Sequence, residues 1–212
     1  MISTIVEDVL LREPPVYHFG RLVCDVLCYG ALRMQVSGRE HVPREGGLIV
    51  ACNHISYVDP VALGCAFPRP ISYMAKVELF RIPVFGRLLA ALDAYPVDRG
   101  KGDVAAIRAS VRELRAGKAI GIFPEGTRNL AGDAQVHTGV ALLASLADAP
   151  VVPAFVRGGD RARRLGKLKV AFGEPLRMGN RTGGKASREE LEKWTAQVMA
   201  RVRALGEMLG AN

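Results

Sequence analysis

The sequence lacks the motifs that mark several large enzyme classes. It has no Gly-x-Ser-x-Gly run, so a serine nucleophile of the hydrolase type has no support. It also has no P-loop pattern, and no Gly-x-Gly-x-x-Gly run follows a predicted strand. Any chemistry of this chain must therefore come from residues outside these motifs.

Cysteine and histidine are scarce and scattered. No Cys-x-x-Cys pair occurs and the histidines lie far apart, so we predict no zinc or other metal site. Free, buried thiols are the favoured interpretation, with disulfides as the lesser alternative, and a reduced, intracellular chain fits this composition. The cysteines are Cys24, Cys28, Cys52 and Cys65, and the histidines are His18, His41, His54 and His137.

Long hydrophobic runs are absent as well. No charge-free apolar stretch approaches the roughly 18 residues that a spanning helix needs, and the N-terminus does not resemble an ordinary signal peptide. Residues 2–11 nevertheless carry apolar side chains at helical spacing, and residues 16–34 form a second apolar segment after Pro14 and Pro15. We therefore predict that residues 1–34 form amphipathic helices and that, if the protein meets a membrane, it lies on the membrane and does not cross it.

Positive charge exceeds negative charge, with 29 Lys+Arg against 21 Asp+Glu and a formal net charge of +8. This excess favours an anionic partner, which is a nucleic acid, a membrane surface or a phosphorylated substrate. Aromatic residues make up only 6% and no base-stacking motif stands out, which disfavours nucleic acid. One basic cluster fits either a solvated loop or attraction to anionic lipid. Its members are Arg157, Arg161, Arg163, Arg164, Lys167 and Lys169.

Beyond residue 34 the sequence alternates between buried strands and helices. This pattern predicts one α/β domain over residues 35–212, with a largely parallel central sheet flanked by helices. The predicted strands are residues 48–51, 71–74, 95–97, 120–123, 151–156 and 168–172. The predicted helices are residues 60–67, 85–92, 104–116, 138–147 and a C-terminal helix that Ser187 and Glu190 cap.

His54 and Asp59 are the candidate catalytic pair. His54 directly follows a predicted strand, and parallel sheets bind ligands beyond the carboxyl ends of their strands. Asp59 and Pro60 suit the start of a helix, so the residues between form a loop that can bring the carboxylate to the imidazole. The ring could then take a proton from an alcohol. The spacing alone also allows Asp59 to be only a helix cap and His54 a structural hydrogen-bonding group.

Other polar residues follow predicted strands in the same way. Arginine can bind a phosphate through two hydrogen bonds, and glycine allows close approach of the backbone. Cations at three strand ends could converge on one anionic group, although each alone fits a solvated surface charge. These candidates are Lys76, Arg99, Glu125, Gly126, Thr127 and Arg128.

In combination, these blocks resemble the glycerolipid acyltransferase family, which includes bacterial 1-acyl-sn-glycerol-3-phosphate acyltransferases. The resemblance covers roughly residues 35–175. The matching blocks are Asn53-His54-x4-Asp59, the stretch that ends at Arg99, Phe123-Pro124-Glu125-Gly126-Thr127-Arg128, and Val152-Pro153.

The resemblance implies transfer of a fatty acyl chain from acyl-coenzyme A or acyl carrier protein to the sn-2 hydroxyl of 1-acyl-sn-glycerol 3-phosphate. His54 would be the general base and Asp59 its orienting partner, while the six candidates above would bind the acceptor. The resemblance implies no cofactor, no metal and no covalent intermediate. It also implies peripheral or monotopic attachment at the cytoplasmic face of the cell membrane.

Two alternatives stay open. The acceptor could instead be glycerol 3-phosphate, a lyso-aminolipid or a glycolipid. A protein of a different class, a non-enzymatic basic protein that binds lipid or nucleic acid, would also explain the charge.

Overall fold

The computed structural model describes residues 15–82, 94–97, 103–126, 136–179 and 186–210. Its strands are β1 (Gln35–Ser37), β2 (Leu48–Cys52), β3 (Ile71–Lys76), β4 (Tyr95–Val97), β5 (Ala119–Ile122), β6 (Val151–Arg157) and β7 (Lys169–Phe172). Its α-helices are α1 (Pro15–Asp25), α2 (Asp59–Ala66), α3 (Val77–Phe80), α4 (Asp103–Arg115), α5 (Gly139–Ala147) and α6 (Arg188–Gly210). A π-helical turn (Val26–Ala31) continues α1, and 3-10 turns cover Arg39–His41 and Gly159–Arg164.

The strands form one sheet in the order β1-β7-β6-β2-β5-β3-β4. The five strands from β6 to β4 run parallel, so their carboxyl ends lie along one edge, which we call the carboxyl edge. β7 pairs with β6 in the antiparallel direction, and β1 runs parallel to β7. The predicted α/β fold with a largely parallel sheet is therefore confirmed.

The position of β2 at the centre of the sheet explains why its sequence is an uninterrupted apolar run. All of its residues are buried, because helices cover both faces of the sheet. Leu48 and Val50 pack in the cluster with residues of α2, whereas Ile49 and Ala51 pack in the cluster with residues of α4, α5 and α6. The core therefore has two halves, one on each side of the sheet.

Most of the predicted elements appear within one to three residues of their predicted bounds. The N-terminus of α6 carries the predicted capping box, because the Ser187 N–H donates to Glu190 Oε2 at 2.7 Å and the Glu190 N–H donates to Ser187 Oγ at 3.2 Å. β4 is an edge strand, as Pro96 indicates. The helices predicted over residues 2–11 and 85–92 lie outside the described residues, so the two-helix arrangement at the N-terminus stays a prediction.

Side chains from the N-terminal region bind the C-terminal end of α2. Tyr29 Oη donates to the Cys65 carbonyl oxygen at 3.2 Å, and Arg21 Nη2 donates to the same oxygen at 3.1 Å. Arg39 Nε donates to the Ala66 carbonyl oxygen at 2.8 Å. These bonds satisfy carbonyls that a helix end leaves unpaired. They hold α1 and its π-helical turn on α2, the helix that begins at Asp59.

Candidate active site

Asn53 fixes the start of the loop that follows β2. Its side chain is buried and bonds the backbone of Val156 on β6 from both sides, with Nδ2 donating to the carbonyl oxygen at 3.0 Å and Oδ1 accepting from the N–H at 2.8 Å. The side-chain amide of Asn53 thus continues the hydrogen bonding between β2 and β6 by one residue beyond the last backbone pair. Because of this anchor, His54 leaves the sheet at a defined point on the carboxyl edge.

The Asp59 carboxylate folds the loop back on itself. The side chain is 0% exposed, and its Oδ2 atom accepts hydrogen bonds from the N–H groups of Ile55 and Ser56, each at 2.7 Å. The same oxygen lies 3.2 Å from His54 Nδ1. Asp59 Oδ1 makes no hydrogen bond to the described residues, so the suggested capping bond to α2 is not formed. The hydrogen bonds of Oδ2 go instead to the loop that precedes the helix.

His54 is held on three sides. A carboxylate oxygen has no proton to give, so the contact with Asp59 requires the proton on Nδ1 and leaves Nε2 with the lone pair of the neutral ring. The ring stacks on Phe123, with ring centroids 4.4 Å apart, and the His54 N–H donates to Glu125 Oε2 at 2.8 Å. The side chain is 17% exposed. A partly exposed imidazole, oriented by a buried carboxylate, has the arrangement that general-base catalysis needs.

Phe123 and Tyr73 form a row of stacked aromatic rings that begins beside His54 and continues along the sheet. Tyr73 stacks on Phe123 at a centroid distance of 6.3 Å, and its hydroxyl donates to the Pro60 carbonyl oxygen at 2.8 Å. A side chain at position 121 would collide with the Tyr73 ring, so glycine is required in β5 at that point. These ring contacts and the hydrogen bond to Pro60 therefore link β3, β5 and the start of α2 to the ring of His54.

The described residues include only three of the six predicted binding residues. Lys76 ends β3 at the carboxyl edge, in register with Val97 of β4. Glu125 and Gly126 lie in the turn after β5, where Gly126 has a φ of 67° and its N–H donates to the Phe123 carbonyl oxygen at 2.9 Å. The remaining predicted binding residues, Arg99, Thr127 and Arg128, lie outside the described residues.

Glu125 has a contact that the sequence did not predict. The sequence named this carboxylate only as a candidate for binding the acceptor, and the structure shows that it also accepts a hydrogen bond from the backbone N–H of His54. Residues 71 positions apart in the chain are thereby joined across the ends of β2 and β5. This bond links the loop of His54 to the loop of the Glu125 block.

Comparison with known proteins gives this geometry a context. A sequence model of the family described as Acyltransferase matches residues 33–157. The 1-acyl-sn-glycerol-3-phosphate acyltransferase of Bacillus subtilis (strain 168) is 34% identical over 180 residues, which cover 83% of this chain and 89% of that protein. The chain belongs to the acyltransferase family. It is accordingly an enzyme that transfers acyl groups.

Two further relatives agree with this assignment. The 1-acyl-sn-glycerol-3-phosphate acyltransferase of Borreliella burgdorferi is 35% identical over 112 residues, which cover 52% of this chain and 45% of that protein. The crystal structure of the 1-acyl-sn-glycerophosphate acyltransferase from Thermotoga maritima superposes with a TM-score of 0.66 at 23% identity. That match covers 97% of this chain and 87% of the other, and it confirms the fold of the acyltransferase.

Cys52 lies two residues before His54 but is poorly suited to act as a nucleophile. Its thiol is fully buried, and burial raises its pKa well above the usual value, with the nearby Asp59 adding to the shift. A thiolate is the reactive form of cysteine, so this position favours an inert thiol.

The predicted free thiols are confirmed, because none of the four cysteines of the acyltransferase forms a disulfide. In the described ranges no three His, Cys, Asp or Glu side chains are grouped in a way that could hold a metal ion.

Gly159 is a residue of the site that the sequence analysis missed. Asp59 Oδ1 is buried, makes no hydrogen bond to the described residues, and lies against the Cα of Gly159 in the 3-10 turn after β6. A Cβ at this position would collide with that oxygen and lie 2.9 Å from Ser56 Cβ. Gly158 and Gly159 were visible in the sequence, but the contact of Gly159 with Asp59, 100 residues earlier, was not.

The variant Gly159→Ala tests this contact. We expect it to lower kcat of the acyltransferase about 10- to 100-fold, because the added methyl must displace Asp59 and with it the His54 ring. We also expect a loss of about 1–3 kcal/mol in the free energy of unfolding from overpacking. Initial rates and urea denaturation measure the two effects. The control is Gly139→Ala, where a Cβ would meet nothing within 4 Å. Unchanged kcat in Gly159→Ala would show that the contact does not position Asp59.

Proposed function

We propose that this acyltransferase moves a fatty acyl chain from an acyl thioester to the sn-2 hydroxyl of 1-acyl-sn-glycerol 3-phosphate, which gives phosphatidic acid for phospholipid synthesis. The observation that carries the proposal is the contact of 3.2 Å between His54 Nδ1 and the buried Asp59 carboxylate. The names of the Bacillus subtilis and Borreliella burgdorferi relatives support the choice of acceptor.

The proposed reaction uses His54 twice. Nε2 takes the proton of the acceptor hydroxyl while the hydroxyl oxygen attacks the thioester carbonyl carbon. The tetrahedral intermediate then expels the thiolate, which takes a proton from the imidazolium and leaves as the free thiol. Asp59 holds the ring by Nδ1 and stabilises its positive charge. Atoms and protons balance with the donor, acyl-coenzyme A or acyl carrier protein, as the only co-substrate, and no cofactor or metal takes part.

We propose that the acceptor's glycerol phosphate lies along the carboxyl edge. Lys76 is the last residue of β3, and Arg99 and Arg128 follow β4 and β5 in the sequence. These three strands are adjacent and their carboxyl ends share this edge. An arginine at such a position can hold a phosphate through two charge-assisted hydrogen bonds. The residues assigned to the acceptor are Lys76, Arg99, Glu125, Gly126, Thr127 and Arg128. Glu125 also accepts a hydrogen bond from the backbone N–H of His54.

A panel of acceptors, read by lipid mass, tests the proposed function. The purified chain is incubated in mixed micelles with acyl-coenzyme A or acyl carrier protein, and with lysophosphatidic acid, glycerol 3-phosphate, a lyso-aminolipid or a lyso-glycolipid. We expect phosphatidic acid from lysophosphatidic acid at a rate well above the product of any other acceptor. A faster reaction with another acceptor would overturn the assigned substrate, and no product from any acceptor would overturn the proposed function.

We also propose that α1 attaches the enzyme to the cytoplasmic face of the membrane as a peripheral or monotopic protein. Large apolar side chains stand exposed on α1 and its π-helical turn at helical spacing. They are Phe19, Leu22, Val23, Val26 and Leu27. No helix in the ranges that the structure describes is both long and apolar enough to cross a bilayer. An amphipathic helix of this kind lies in the plane of the interface.

The double variant Leu22→Ser and Val26→Ser tests the attachment. We expect its binding to neutral phosphatidylcholine vesicles to weaken about 100-fold, because each apolar side chain loses roughly 1.5 kcal/mol or more of burial. Vesicle flotation measures the bound fraction. The control is the pair Val104→Ser and Leu146→Ser, exposed residues of α4 and α5. Equal binding of the two double variants would rule out α1 as the attachment surface.

A further inference from the structure

The basic segment after β6 borders the catalytic pair. We call residues 159–167 the basic turn; they comprise the 3-10 turn Gly159–Arg164 and the three residues after it. Its first residue touches Asp59, so the turn begins at the carboxyl edge directly beside the loop of His54. The basic cluster of the sequence is thereby connected to the catalytic pair through Gly159.

The charges of the basic turn point into solvent. Arg161, Arg163, Arg164 and Lys167 are exposed, and the only acidic residue of the segment, Asp160, lies 3.7 Å from Arg161 Nε. Four cations against one carboxylate give the turn a net charge of +3. Arg157 does not belong to this surface, because its Nη1 atom donates to a carbonyl oxygen of α6 at 3.3 Å.

Leu165 is unusual in both backbone and exposure. Its φ of 52° lies in the left-handed region, which leucine adopts at a cost and which glycine and asparagine favour. Its side chain is 58% exposed to water between the cations. Burying this exposed apolar side chain against an apolar partner would lower its free energy, and no described residue covers it.

The basic turn is tied to the proposed membrane helix. Arg33, two residues beyond the π-helical turn that continues α1, donates from Nη2 to the Leu165 carbonyl oxygen at 3.2 Å. The Leu168 N–H also donates to the Leu32 carbonyl oxygen at 3.0 Å. The chain just beyond the π-helical turn is therefore joined to the basic turn and to the residue that follows it, and the basic turn itself reaches Asp59 through Gly159.

We propose that the basic turn is a second membrane contact that binds anionic phospholipid headgroups, with Leu165 inserting between them. The inference rests on the proposed attachment through α1 and adds the lipid charge class and a second surface to it. Cations near an anionic bilayer attract it and a neighbouring apolar side chain can insert, which together give reversible binding. With both contacts made, the carboxyl edge and His54 would face the lipid that contains the acceptor.

Vesicle binding without substrates tests the proposal. The variant carries Arg161→Gln, Arg163→Gln, Arg164→Gln and Lys167→Gln. The matched control carries Arg108→Gln, Arg112→Gln, Lys193→Gln and Arg201→Gln, which removes four exposed cations from α4 and α6. Each basic residue at an anionic surface contributes about a fivefold factor. We expect the turn variant, which lacks four cations, to bind vesicles with one third phosphatidylglycerol about 600-fold more weakly than wild type, and to bind neutral vesicles equally well.

The control variant separates a local surface from total charge. Cations that face away from the bilayer are screened beyond about 10 Å at 0.1 M salt, so we expect the control to bind within about threefold of wild type. An equal loss in both variants would overturn the basic turn as a specific contact. A raised KM for the acyl donor, with unchanged vesicle binding, would overturn the proposal and assign the cations to the donor's phosphates.

Leu165→Asn tests the inserted side chain. Asparagine suits the left-handed backbone, so we expect the melting temperature to stay equal or rise, while binding to the anionic vesicles falls several-fold. Unchanged binding would remove Leu165 from the contact. Vesicle binding is measured without turnover, so a wild-type chain that binds but forms no phosphatidic acid would refute the proposed function and leave this inference standing.

Discussion

Replacing His54 with alanine is expected to lower kcat at least about 1,000-fold, because no other described side chain shares its contact with Asp59 and could replace Nε2 as the base. The fold should survive, since the ring is partly exposed and its main partners, Asp59 and Phe123, are held by other contacts as well. The measurement is the initial rate of acyl transfer at saturating substrates, with circular dichroism and thermal melting on the same preparation.

The matched control is His41→Ala. His41 lies in the 3-10 turn after β1, where its Nδ1 atom is 3.2 Å from the Phe172 carbonyl oxygen, on a part of the sheet remote from the carboxyl edge. We expect its kcat to equal that of wild type. If His54→Ala retained more than a tenth of the wild-type kcat while folded, His54 would not be the general base.

Replacing Asp59 with asparagine is expected to lower kcat about 1,000- to 10,000-fold. The amide keeps the size of the side chain but has no charge to stabilise the imidazolium, and it can present an N–H to Nδ1, which favours the wrong tautomer of His54. Asp59 Oδ2 also holds two backbone N–H groups at 2.7 Å. We therefore expect the free energy of unfolding to fall by about 1–3 kcal/mol as well.

Two further variants separate the two roles of Asp59. Asp59→Ala leaves both N–H groups without an acceptor, so we expect a larger loss of stability than in Asp59→Asn but no larger loss of kcat. Asp148→Asn is the control, because Asp148 is an exposed residue in the left-handed region with a φ of 49°, which asparagine tolerates. A folded Asp59→Asn enzyme with wild-type kcat would show that the carboxylate has only a structural role.

The sequence was sufficient for the elements whose signals are local. The continuous apolar run at residues 48–51 and the Ser187 capping box predicted β2 and the start of α6, because burial on both faces and helix capping depend on neighbouring residues. β1 was missed because it has only three residues, of which two are exposed. Three residues are too few for a pattern of alternation.

The contacts of the active site could be predicted only in part. The approach of Asp59 to His54 follows from a short loop, and the spacing in the sequence allowed it. The bond from His54 to Glu125 and the contact of Asp59 with Gly159 depend on the pairing of β2 with β5 and β6, whose residues lie about 70 and 100 positions away. Such partners are set by strand order, which a single sequence does not reveal.

The proposed membrane contacts, α1 and the basic turn, are both linked by hydrogen bonds or close packing to the elements around Asp59. Arg21 and Tyr29 bind the C-terminal end of α2, and the N-terminal end of the same short helix carries Asp59. The basic turn contacts Asp59 from the other side through Gly159. Both proposed membrane contacts therefore adjoin elements that position the Asp59 carboxylate, which fits the proposed transfer to a lipid acceptor.

The most direct test of acyl transfer through His54 follows both products of one reaction. Free thiol from acyl-coenzyme A and phosphatidic acid from lysophosphatidic acid are measured together, for wild type and for His54→Ala at equal concentration. We predict one thiol for each phosphatidic acid in wild type and neither product above background in the variant. Thiol without phosphatidic acid in wild type, or equal phosphatidic acid from both proteins, would contradict the account.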